Sequence, residues 1–388
     1  MFNNLKAMMI LYLILLISFV LLFIYNKNLT IKIFVISLLI LMLIFPQNSI
    51  QAAKKGINLW LYIVAPSLFP FFVLNDIIIS LGIPENISNL FSKTFKKIFN
   101  TSGYGAYVFI MSIFTGYPTG AKIVSQLIEE KKITSYEGQK ILNFASTSGP
   151  LFIIGAVGIG MFKNKTIGYI ILFSHIIGSI INGIIINKLC YPSNLYNNNI
   201  NLNIKKRGKN LTNTITNSLY TIGIIGGYII FFSVVIELIK ITNIFNVIET
   251  CLSFFVPINL AQSISLLLQG VIEITNGCNL IALSKIPLQL KIIITTFLIS
   301  FSGFSIIMQV YSITSSSNIN IKTYIFSKTL HAIISSTICI IVLKYIPLTN
   351  IVVNLFNKSF NTINTFIFAE ILLFILLFLN LLSYKLKK

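Results

Sequence analysis

The residues best suited to chemistry stand where apolar runs are interrupted. GYPTGAK (residues 116–122) sets Gly116, Tyr117, Pro118, Thr119 and Gly120 ahead of Lys122, and no other charge falls between residues 98 and 121. Glycine and proline disfavour a helix interior by about 1 and 3 kcal/mol, so one helix ends here and another starts near Gly120. The free N–H groups and dipole of a helix start attract anions, and Lys122 in the first turn adds a full positive charge. Lys122 therefore reads either as part of an anion site or as a lysine snorkelling to an interface. A second interruption, IEITNGC (272–278), carries Glu273 with Thr275 and Gly277. An acid between apolar stretches is disfavoured by about 2.5–3.5 kcal/mol on insertion scales and is a functional candidate by default. Glu273 suits a coupling proton or cation, a pairing with Lys122, or the end of a helix.

Hydroxyls and exposed backbone recur at two further breaks. STSGP (146–150) offers Ser146, Thr147, Ser148 and Gly149, and Ser300, Ser302 and Gly303 stand in the second half. Such groups can coordinate a carboxylate or an ion, and they equally let helices pack closely in a bilayer. His175 and His331 are the two histidines of the chain. They suit proton relay near neutral pH or interhelical hydrogen bonding, and neither has metal-ligand spacing around it. Asn75 and Asp76 close an apolar span. Glu129, Glu130, Lys131 and Lys132 form a charged run that reads as solvated surface. There is no phosphate-binding loop, HExxH, GxSxG or Cys/His nucleophile arrangement. The expectation is a protein that is not an enzyme, with no cofactor and no metal.

The elements that hold these residues are set by composition. Of 388 residues, 55% are hydrophobic and 10% charged, with a mean hydropathy of +0.88. Soluble domains carry about 25% charged residues, so lipid must be the solvent for most of this chain. Charge-free stretches at residues 7–25, 33–53, 141–162, 166–187, 210–236 and 292–321 approach or exceed the roughly 20 residues that cross a hydrocarbon core. The net charge of +20 sits in lysines flanking these spans, as at 54–55, 205–209 and 385–388. That placement serves topology and anionic headgroups, and nucleic acid is not expected as a partner. Four scattered cysteines (190, 251, 278, 339) make neither a disulfide framework nor a zinc site. The first apolar run lacks a small-residue cleavage site and reads as a retained helix.

The fold class expected is all-α: a polytopic transmembrane helix bundle with two related repeats containing broken or re-entrant helices. Residues 1–50 supply two plain helices (8–25 and 31–45), 51–190 the first repeat, and 191–213 a basic, Asn-rich linker. Residues 214–346 form the second repeat, and 347–388 a C-terminal helix with a basic tail. Both repeats follow one order of events. An apolar span ends near an acid (Asp76, Glu237), a broken helix follows (115–123, 272–280), then a Ser-Gly break (147–154, 301–308), then a histidine-bearing helix (173–181, 329–337). Paired broken helices in two halves point to a transporter site near the bilayer midplane. Re-entrant segments leave between about eight and eleven helices. Without an ATP site, a transporter of this kind would use a gradient or passive flux.

Four stretches carry a resemblance: residues 56–78 (GINLWLYIVAPSLFPFFVLNDII), 115–122 (TGYPTGAK), 146–162 (STSGPLFIIGAVGIGMF) and 272–278 (IEITNGC). Across about residues 56–346 the chain resembles the sporulation integral membrane protein YlbJ (SpoVV) family, one of the nucleoside-recognition (Gate) domain membrane proteins, which are similar to concentrative nucleoside transporters. FKNK (162–165) departs from the usual turn. The resemblance implies a role in endospore formation and spore cortex assembly, and movement of dipicolinic acid from the mother cell across the outer forespore membrane. Dipicolinate is a small planar dianion, which suits helix N-termini, backbone N–H groups and a lysine, with Tyr117 or Phe152 against its ring. The expected partners are the lipid bilayer, this small organic anion and a coupling ion. A nucleoside carrier and a non-transporting scaffold for the spore envelope are the alternative readings.

Overall fold

A computed structural model describes residues 25–189 and 211–345. The first expected helix, Cys190, most of the basic linker and the C-terminal helix with its tail lie outside the described residues. No strand forms among those described.

The chain turns wherever its residues cannot continue a helix. Helix α1 (Lys27–Ile44) is capped by the Asn26 side chain, which accepts from the Leu29 N–H at 3.0 Å. It stops before Pro46, the first residue of α2 (Pro46–Leu59), and the axis bends by 103°. Trp60–Val64 is wound as a π-helical turn ahead of Pro66 in α3 (Ala65–Ser80), which also contains Pro70. Proline has no N–H to give to the preceding turn, and a wider turn is one way to accommodate it. Left-handed Gly82 then bends the chain by 78° into the amphipathic α4 (Ile83–Phe99).

From here each interruption expected from the sequence becomes a break between two short helices. Helices α5 (Tyr104–Thr115) and α6 (Thr119–Glu129) meet at Gly116–Pro118, where the Tyr117–Pro118 peptide is cis. Helices α7 (Ser135–Ala145) and α8 (Leu151–Met161, π-wound) meet across Ser146–Pro150, and α9 (Lys165–Leu189) closes the half. In the second half α10 (Leu211–Ile241) and α11 (Ile244–Ser253) precede α12 (Ile258–Ile272) and α13 (Ile274–Leu283), which break at Glu273. Helices α14 (Leu288–Phe301) and α15 (Gly303–Ile313) break at Ser302, and α16 (Ile321–Tyr345) ends the described chain. The order α3–α4–α5/α6–α7/α8–α9 thus recurs as α10–α11–α12/α13–α14/α15–α16. Helix α10 starts three residues before the expected linker boundary at 214, since the apolar, Thr-rich pattern from Leu211 onward already supports a helix.

Among the described residues, four helices are long and apolar enough to cross a membrane: Lys165–Leu189, Leu211–Ile241, Ile321–Tyr345 and the run Leu288–Ile313 through the Ser302 break. Counting each bent pair as one span raises this to six among the described residues. The eight to eleven expected were for the whole chain, including helices outside the described residues; within these, α5, α6, α7, α8, α12 and α13 are each about 10–15 residues and fall short of the roughly 20 a span needs. Outward faces are apolar on short and long helices alike: Phe114 of α5, Phe173 of α9 and Phe231 of α10 are all exposed, as lipid contact requires. The chain is a polytopic helical membrane protein.

The breaks are packed against one another. Gly116 is left-handed (φ +81°), and a Cβ built on it would lie 2.6 Å from the Gly149 nitrogen, so the first two breaks touch backbone to backbone. Gly303 (φ +76°) faces the Gly270 and Val271 carbonyls in the corresponding place of the second half. Around them, Tyr107, Ile123, Leu127 and Phe144 of α5–α7 share a core with Ile307, Val310 and Tyr324 of α15 and α16. Gly116→Ala is expected to destabilise the protein by about 1–3 kcal/mol of overpacking plus about 1–3 kcal/mol of backbone strain. Gly223→Ala in α10, where a Cβ meets nothing within 4 Å, should leave stability unchanged or slightly raised. Thermal unfolding of the two variants in detergent checks the contrast.

Candidate functional site

Five of the six elements that carry expected site residues converge on one buried cluster. Lys328, on α16, lies at its centre, 2% exposed. Its ammonium donates to the Tyr117 hydroxyl at the first break (2.6 Å), to the Ser146 carbonyl at the second (2.9 Å), and contacts His331 Nδ1 one turn on (3.1 Å). Tyr117 in turn donates to the Ile299 carbonyl of α14 (3.2 Å), and its ring lies 4.8 Å from the ammonium. The Tyr324 hydroxyl, one turn before Lys328, bonds the Ser146 hydroxyl at 2.7 Å.

The hydrogen-bond pattern assigns both histidine tautomers. The Ser148 N–H can only donate, so His175 Nε2 accepts from it (2.9 Å) and Nδ1–H donates to the Ser300 hydroxyl (2.9 Å). The His175 carbonyl can only accept, so His331 Nε2–H donates to it (3.0 Å) and His331 Nδ1 is left to accept from Lys328. The rings lie 4.8 Å apart, fully buried. Every N–H of the ammonium and every ring nitrogen thus has a partner, which is the condition for a polar network to survive burial. An asparagine track continues from it: Asn182 bonds Ser327 and the Asn143 carbonyl, and Asn143 bonds Asn187.

The remaining expected residues are placed elsewhere. Lys122 does not meet Glu273. Its ammonium pairs with Asp76 at 3.6 Å and lies 4.4 Å from the Phe72 ring, while Gln126 donates to the same carboxylate and Tyr107 to Asn75. Helix α6 packs one face against the second half, where Ser125 bonds the Ile313 carbonyl and the Ser317 hydroxyl, and Lys122 lies on the face turned toward Phe72 and Asp76 of α3. Glu273 caps α13: its two carboxylate oxygens accept the Thr275 N–H (2.9 Å) and the Asn276 N–H (2.7 Å). The acid occupies the anion position of its own helix start. Gly277 packs on Gly270, Gly120 on the Ala145 carbonyl, and Thr147 bonds Ser112. Thr119 is buried, and its hydroxyl has no hydrogen-bond partner among the described residues. Of the surface run, Lys132 bridges Glu85 (2.8 Å) and Glu130 (2.7 Å). A cleft of about 290 Å³ lined by Lys240, Asn243 and Gln269 among others lies among α10–α13, and none of these residues bonds to the Lys328 cluster.

Lys328 and Tyr324 escape a search for matched pairs. The offset that aligns the two histidines sets Leu172 opposite Lys328 and Gly168 opposite Tyr324, so neither has a polar counterpart in the first half. The available signal was a lone lysine inside a long apolar run, one turn before a histidine.

Comparison with known proteins places the whole arrangement. Over 323 residues the chain is 31% identical to the sporulation integral membrane protein YlbJ of Bacillus subtilis strain 168, covering 77% of this chain and 78% of that protein. The chain belongs to the sporulation integral membrane protein YlbJ family. No protein-family model matches it, and no solved structure does. It is therefore a sporulation membrane protein of this family, with a buried cationic cluster where the broken helices of its two halves meet.

Two substitutions separate the local roles. His175→Phe leaves the Ser148 N–H buried without an acceptor and should lower stability by about 1–3 kcal/mol. Glu273→Ala removes only a helix cap and should lower it by about 0.5–2 kcal/mol. Unfolding of the purified protein in detergent, followed by helical circular dichroism, measures both.

Proposed function

We propose that the protein is a secondary carrier of a small organic anion, dipicolinate, moving it from the mother cell across the outer forespore membrane for spore cortex formation. The observation that carries this reading is the convergence of broken helices from both halves inside the bundle. Non-helical backbone at membrane depth is tolerated only where it is buried in protein or lines a water-filled cavity, and paired discontinuous helices at a repeat interface are the usual build of a carrier site. Here the Tyr117 break reaches α14 through the Ile299 carbonyl, and the Ser146 break reaches α16 through Tyr324 and Lys328. A scaffold would need neither the breaks nor the buried charge.

The anion is supported by the sign of that charge and by the number of donors around it. Dipicolinate itself rests on the family resemblance and on chemistry: a planar ring with two carboxylates fits a lysine beside an aromatic ring and serine hydroxyls. With no nucleotide-binding motif in the sequence, coupling to a gradient or passive flux is the mechanism this reading takes. The test is uptake by full-length protein in proteoliposomes, with labelled dipicolinate set against a labelled nucleoside. Dipicolinate uptake at least tenfold above the nucleoside is expected. Preference for the nucleoside would move the assignment to a nucleoside carrier, and uptake of neither would favour the scaffold.

A further inference from the structure

Three lysines are buried among the described residues: Lys122, Lys140 and Lys328. Lys122 has Asp76 within 3.6 Å. Lys140 stands one turn from Glu137 and donates to the Asn100 carbonyl. Lys328 has no carboxylate within ion-pair distance among the described residues, and its three partners are a phenol, a carbonyl and an imidazole. A buried ammonium is strongly disfavoured unless a counter-charge is supplied, and a protein that wanted only a strut here could have used an amide. The missing negative charge therefore points outward, to something that visits the site.

We propose that Lys328 is the residue that binds the carboxylate of the carried anion, a deepening that rests on the carrier reading above. A carboxylate arriving at the cluster replaces the Tyr117 hydroxyl and the Ser146 carbonyl as acceptor for two of the three N–H groups. The exchange is favourable, because the carboxylate brings a full opposite charge to the buried ammonium, whereas the phenol and the carbonyl supply only dipoles. The third N–H stays on His331 Nδ1, whose own N–H is tied to the His175 carbonyl, so the ammonium keeps its position on α16. The freed Ser146 carbonyl and Tyr117 hydroxyl belong to the two breaks of the first half. Binding at Lys328 thus loosens the link between α16 and those breaks, which ties occupancy of the site to its rearrangement. Lys122, already neutralised by Asp76, holds the first half together and does not contact the anion.

The experiment compares wild type, Lys328→Met, Lys328→Arg and Lys122→Met, each reconstituted as the full chain. Two probes are used: labelled dipicolinate and its uncharged analogue pyridine-2,6-dicarboxamide. Wild type is expected to take up dipicolinate and discriminate against the diamide. Lys328→Met should raise the KM for dipicolinate at least tenfold and lose that discrimination, whereas Lys122→Met should retain discrimination even if less protein inserts. A Lys328→Met variant with wild-type KM and discrimination would overturn the assignment and leave the carrier reading standing. If that variant fails to insert, Lys328→Arg decides: a KM raised at least threefold supports the assignment, and an unchanged KM overturns it. Wild type that takes up no dipicolinate would overturn the carrier reading. Binding to the detergent-purified protein then reads the assignment separately, since loss of dipicolinate binding on Lys328→Met supports it and retention overturns it.

Discussion

The structure depends on one constraint: backbone N–H and C=O groups freed by a helix break inside a bilayer have no water to turn to. Each break in this chain resolves that in a different way, and the solutions bring the breaks together. At Ser146–Pro150 the Ser148 N–H finds His175, the Ser146 carbonyl finds Lys328, and the Thr147 N–H finds Ser112. At Glu273 the free N–H groups of α13 are satisfied by the acid's own side chain. Close packing of Gly116 on Gly149 lets the first two breaks share a small volume. The polar side chains that repair the breaks are thereby collected at one place.

That place is unevenly charged between the halves. A strictly symmetric repeat would set a second lysine on α9, but Leu172 stands there. The first half contributes the breaks, and the second half contributes the cation with its tyrosine and histidine. The order of helices and breaks thus recurs in both halves, while Lys328 and Tyr324 of α16 have no polar counterpart on α9. The same logic explains two of the three acids buried among the described residues. Asp76 and Glu273 are each satisfied locally, one by a lysine and one by a helix start, so neither competes with the cluster for its positive charge.

Much of the fold was legible before any coordinates. Low charge and long apolar runs require lipid as solvent whatever the packing, and Gly and Pro within those runs require breaks whatever the neighbours. The recurrence of a break, a Ser-Gly break and a histidine helix was readable because each element has a local chemical signature. Membership of the sporulation integral membrane protein YlbJ family was readable from the same stretches. Tyr117 and Ser146–Ser148 stood out as polar groups where helices cannot continue, and the two histidines as polar groups within apolar helices that continue past them.

What the sequence could not decide was which polar groups meet. Lys122 looked like the anion-binding cation because it follows a helix start. Its direction is set by the angle at which α6 leaves the Pro118 break, and that angle turns it toward Asp76. Glu273 looked like a partner for it because both flank breaks, yet φ and ψ at Glu273 fold its side chain onto its own helix. Lys328 was unremarked because a lysine in a long helix declares its burial only once α9 and α14 are packed around it. Composition and local backbone preference are properties of a segment and belong to the sequence. The pairing of charges depends on distances between segments remote in the chain, and only the tertiary structure sets those.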